Sequence, residues 1–148
     1  MEGYDFEKLA REIVAGRLSG LSGGAIEAAA EIAKRVLIAA LQSTATKQQP
    51  AVTVAAVCRG VLGGLMLINQ DLPAAAVRLL KELSNVSHET PLPPEDLMNW
   101  AMEGFAAVAL VGGPETILRM EGAIEESFMG AGVAFRQACE RARRQGAA

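Results

Sequence analysis

The chain has 148 residues, of which 51% are hydrophobic, 21% charged and 4% aromatic, and its formal net charge is −3. That length suits one domain, and the composition is globular rather than disordered. No block of the sequence is basic enough to neutralise a run of phosphates, so no nucleic-acid partner is expected.

The charge is unevenly spread. Residues 1–81 carry nine Lys/Arg against seven Asp/Glu, residues 82–126 carry nine acids and only Arg119, and residues 127–148 carry four Arg and Glu140. With so few aromatics, the core must come from Ala, Leu, Val, Ile and Met, which favour closely spaced helices. Cys58 and Cys139 stand far apart in apolar helical patterns and neither belongs to a CxxC. Reduced thiols, a cytoplasmic location, and no metal or other cofactor are therefore expected. The opening MEGYDFEKLAREIV lacks an uninterrupted apolar stretch and does not read as a secretory signal.

Taken in chain order, the periodicity predicts six helices. The first covers about Asp5–Leu18, with Phe6, Leu9, Ile13 and Val14 on one face. GRLSGLSGG breaks it, and a second helix runs from about Gly24 to Thr44. The third, about Ala51–Asn69, contains VAAVCRGVLGGLMLIN, whose sole charge is Arg59. Asp71 then serves as an N-cap for a fourth helix ending near Val86, followed by the loop SHETPLPP. The fifth spans about Pro94–Val111 and is apolar on most sides. The sixth spans Pro114 to about Arg144 without interruption. Its heptad-like seam places Ile117, Ile124, Ala131 and Ala138 beside Glu121, Phe128, Phe135 and Ala142. No stretch reads as a strand, and no internal repeat aligns. GAIE recurs at Gly24 and Gly122, but its flanks differ.

A membrane span needs about 20 apolar residues. Val52–Ile68 is shorter and holds Arg59 near its middle, where insertion costs roughly 3 kcal/mol. A membrane partner is therefore not expected. The third and fifth helices are predicted to lie innermost, wrapped by the other helices and by a second copy of the chain. Gly60-x-x-x-Gly64 suits close helix contact, and Gly60, Gly64, Phe128 and Phe135 are the candidate interface residues.

A buried guanidinium must be paired. Glu103 and Glu121 sit in equally apolar settings, so one or both are expected to meet Arg59, unless each charge reaches water at a helix edge. Several local patterns resemble chemistry without its context. GLSGG matches GxSxG around Ser22, with Asp71 and His88 following in hydrolase order, yet a helix precedes the turn and no strand feeds it. Glu121 and Glu125 lie one turn apart, but di-iron bundles also need two histidines, and His88 is the only one.

The sequence thus predicts an all-α, single-domain bundle of five or six helices. Its expected role is a non-enzymatic assembly or interaction module, a homodimer with a possible helical protein partner. The alternative is a ligand-binding or catalytic bundle in which Arg59, Glu103 and Glu121 hold a polar group beneath Trp100.

Overall fold

A computed structural model describes residues 5–21, 23–43 and 48–147. Among these residues every regular element is helical. The helices are α1 (Phe6–Leu18), α2 (Ala25–Gln42), α3 (Pro50–Leu67), α4 (Leu72–Glu89), α5 (Pro94–Gly112), α6 (Pro114–Ser127) and α7 (Ala131–Ala147).

Local chemistry places most boundaries. Asp5 and Asp71 cap α1 and α4 by accepting the backbone N–H of Lys8 and Ala74, at 3.0 and 3.2 Å. Prolines open α3, α5 and α6, where a missing N–H costs nothing. α4 runs a turn beyond its expected end, so His88 lies in its last turn rather than in a loop. It stops at Thr90, which the following Pro91 holds extended at φ −135°.

The predicted sixth helix is two helices. Gly130 takes φ +90°, a conformation other residues resist, and the chain reverses so that α7 packs back on α6. The two carboxylate oxygens of Glu125 accept the N–H groups of Gly130 and Gly132, at 2.9 and 3.0 Å, capping the start of α7. Gly132 is needed for the close approach: a Cβ there would stand 3.0 Å from that of Glu125.

The helices stack in two rows. α1, α3, α5 and α7 pack side by side in that order, and α2, α4 and α6 form the second row. α1 and α3 run parallel, because Gly60 faces Ala10 and Gly64 faces Val14. α3 and α5 begin 44 residues apart, at Pro50 and Pro94, and share an environment position by position. Cys58 and Met102, Gly60 and Gly104, Val61 and Phe105, and Leu65 and Ala109 are all buried. Arg59 and Glu103 are half-exposed, and Leu67 and Val111 are exposed. The repeat is one of burial rather than identity, which is why sequence comparison along the chain misses it. Its length and stacking are those of an α-solenoid of helical hairpins.

The single chain therefore covers its two oily helices by itself. α3 is flanked by α1 and α5 in its own row and by α2 and α4 in the other. It is long and apolar enough to cross a membrane, yet 61% of it is buried inside the fold. Ala55, Arg59, Gly63 and Met66 form its half-buried stripe, two small residues alternating with two long ones.

Candidate functional site

The charged residues expected to converge instead stand on three different helices, Arg59 on α3, Glu103 on α5 and Glu121 on α6. Arg59 Nε lies 2.8 Å from Glu7 Oε1 on α1. Arg141 of α7 reaches Glu103, with Nε 3.0 Å from Oε2. Arg136 Nε lies 3.0 Å from Glu121 Oε2. The structure thus gives Arg59, Glu103 and Glu121 three separate partners. Each pair ties two neighbouring helices together at a half-exposed edge. Arg59 retains 36% of its side-chain exposure, so its head group meets water while its stem lies on α3. Such pairs contribute little, and Arg59→Met is expected to change stability by less than about 1 kcal/mol in denaturant titration. A loss several times larger would mean the guanidinium is buried and essential.

A deeper polar group lies in the even row. Glu82 is buried at 5% exposure and accepts from Arg78 Nη1 and Asn85 Nδ2, both at 2.7 Å. Arg78 also donates to Glu27 of α2 at 2.6 Å, so this cluster joins α2 to α4. The two carboxylates raise the Arg78 pKa further, Glu27 first. With each member hydrogen-bonded, the cluster is a fastening between helices.

The other candidate residues join the core or its edges. Trp100 packs half-buried against the core. Gly60 and Gly64, expected at an interface between copies, face α1 of their own chain. A Cβ on Gly64 would lie 2.9 Å from Val14 Cβ. Phe135 is fully buried, and Phe128 is the half-buried C-cap of α6.

Ser22 lies outside the described residues. α1 and α2 flank its turn, so no strand feeds it. Asp71 and His88 sit at opposite ends of α4, about 25 Å apart at 1.5 Å per residue, which cannot form a relay. Glu121 and Glu125 are engaged by Arg136 and by the start of α7. Among the described residues, no three His, Cys, Asp or Glu side chains are placed to share a metal ion.

Burial pushes the thiols of Cys58 and Cys139 up, to about 12 and about 11. Since the thiolate is the nucleophile, both should label far more slowly in the native protein at pH 8 than in denaturant. Fast native labelling of either would contradict this packing.

Glu125 is held below its ordinary value of 4.5 by the backbone N–H groups of Gly130 and then Gly132. A depressed folded value means its stabilising effect is complete above the unfolded value and is lost as pH falls through the folded one. The Gly130 and Gly132 amide resonances should therefore shift together in an acid titration, with a midpoint below 4.5. A midpoint at or above the ordinary value would show that the cap is absent.

Among the described residues, large apolar side chains stay exposed in several places: Met129 and Val133 at the α6–α7 turn, Val52 at the start of α3, Leu9 on α1, and a group around the ends of α3 and α5. α1, α3 and α5 each end at a short turn that leads into α2, α4 and α6. Leu67 and Val111 end neighbouring odd helices at 62% and 74% exposure, and Leu21 occupies the α1–α2 turn at 47%. Leu118 of α6, 68% exposed, lines a shallow cleft of about 520 Å³ with Asp71, Pro73 and Ala74 of α4, and with Arg119 and Glu126. These side chains form an apolar rim with charged edges. It came to light only with the fold, because the sequence scatters its members over about a hundred positions.

The class defined by this fold is a short, all-α stack of helical hairpins. No known protein family, curated protein or solved structure matches the chain significantly.

Proposed function

We propose that the chain is a non-enzymatic helical assembly module that works as a homodimer, in the cytoplasm. The carrying observation is the apolar rim: Leu67 and Val111 stand exposed at equivalent ends of adjacent helices. A two-fold axis through such a rim sets Leu67 of one copy against Val111 of the other, and the reverse, which is the self-complementarity a symmetric pair needs. Asp71, Arg119 and Glu126 at its border supply the polar surround of an interface.

This reading places the contact on the rim rather than on the broad faces of α3 and α5, which the chain's own helices occupy. A helical protein partner would use the same apolar surface. Light scattering coupled to native mass spectrometry tests the reading. The unmodified chain should give twice its 15.5 kDa mass, and Leu67→Glu with Val111→Glu should give a monomer of unchanged helicity. A monomeric unmodified chain, or a pair indifferent to both charges, would refute the rim contact.

A further inference from the structure

We propose that the α6–α7 turn is a hinge through which two copies exchange α7, the stretch being bent within one chain and straight between two.

The observation is a conflict between pattern and structure. Residues 114–144 carry one continuous helical seam, and the turn at Phe128–Gly130 cuts through it. Every seam residue still faces protein. Ile124, Phe135 and Ala138 are buried, while Ile117, Glu121, Phe128, Ala131 and Ala142 are half-buried. Straightening the turn would therefore create one long helix with a continuous stripe, apolar at every position but Glu121.

The bent state is held by few devices. Gly130 supplies φ +90°, Gly132 the room against α6, and Glu125 takes the two amides that have lost their helical acceptors. In a straight helix those amides would bond to the carbonyls four residues earlier, and Glu125 would be released.

A straight α6–α7 cannot satisfy one chain. It lifts α7 off α5 and α6, uncovering the surface that Phe135 fills and parting Arg141 from Glu103. It also parts Arg136 from Glu121, since fifteen residues of helix separate them by about 22 Å. Two chains restore all of this by trading α7, because each then receives the same helix on the same site. Reciprocal exchange of one identical element is a low-cost route to a dimer. The inference does not use the rim.

The test is made in the Leu67→Glu/Val111→Glu background, where rim pairing is removed. Gly130→Ala with Gly132→Ala penalises the bend and favours the straight helix, so the exchanged-dimer fraction should rise at least tenfold by light scattering, with helicity retained. A complementary pair of chains then identifies the contact. One carries Glu103→Arg and Glu121→Arg, the other Arg136→Glu and Arg141→Glu. Each repels its own α7, and each accepts the other's. Refolded together, they should form a heterodimer by native mass spectrometry, even where either alone folds poorly. A monomeric double-alanine variant, or a mixture without heterodimer, would overturn the exchange. The rim is judged separately, on the unmodified chain.

Discussion

Replacing Phe105 with alanine is expected to destabilise the protein by about 3–5 kcal/mol, the largest loss from any one side chain considered. Phe105 is fully buried on α5, which packs against α3 and α7 in its row and against α4 and α6 in the other. Few other aromatics share the interior, since aromatic residues make up 4% of the chain, and the buried alanines one turn away on α5, Ala101 and Ala109, have no length with which to fill the void. A cavity lined by short side chains collapses poorly, so the cost belongs at the upper end. At this chain length such a loss corresponds to a fall of roughly 10 °C in Tm, measurable by calorimetry. A fall of one or two degrees would show that α5 is not held between four neighbours.

The second large effect is a reversal of sign among glycines. In an ordinary helix interior, Gly→Ala stabilises by about 1 kcal/mol, because alanine has less backbone freedom to lose. Gly16 in α1 and Gly122 in α6 have open space where a Cβ would go, so alanine there should stabilise by about that amount. Gly60 and Gly104 should do the opposite. A Cβ on Gly60 would meet the Glu7 carbonyl oxygen, and one on Gly104 the Ala55 carbonyl oxygen and the Arg59 nitrogen. These are backbone atoms of the preceding odd helix, which moves only as a body. The helices must separate, at a cost of about 2–3 kcal/mol each. Chemical denaturation of the four single variants would reveal the split. Stabilisation at all four positions would mean that α3 does not lie against α1, nor α5 against α3.

The sequence carried the fold class clearly, for identifiable reasons. Strong helical periodicity, the caps Asp5 and Asp71, and prolines at the helix starts set five of the seven helices among the described residues to within a few positions. The break at Gly130 was masked because a seven-residue seam continues through it, although Gly130 and Gly132 stood in plain sight. The prolines of SHETPLPP suggest a loop from Ser87 onward, yet Pro91 restrains only Thr90 directly and the helix carries His88.

The charged site was less legible. Arg59 looked buried because its neighbours in sequence are apolar. Ala55 and Gly63 are apolar yet small, and they mark a half-buried stripe rather than a core face. Its true partner, Glu7, lies on a helix whose position depends on tertiary packing. Gly60 and Gly64 were recognised as close-contact positions, but periodicity alone does not say whether the neighbouring helix comes from the same chain.

The central claim is that one chain wraps both of its oily helices without help from a second copy. Hydrogen exchange on the Leu67→Glu/Val111→Glu variant at low concentration tests it most directly. The account predicts that amides within 54–65 and 101–109 are the slowest to exchange, at rates independent of protein concentration. Rapid exchange of either segment, or protection that disappears on dilution, would contradict it.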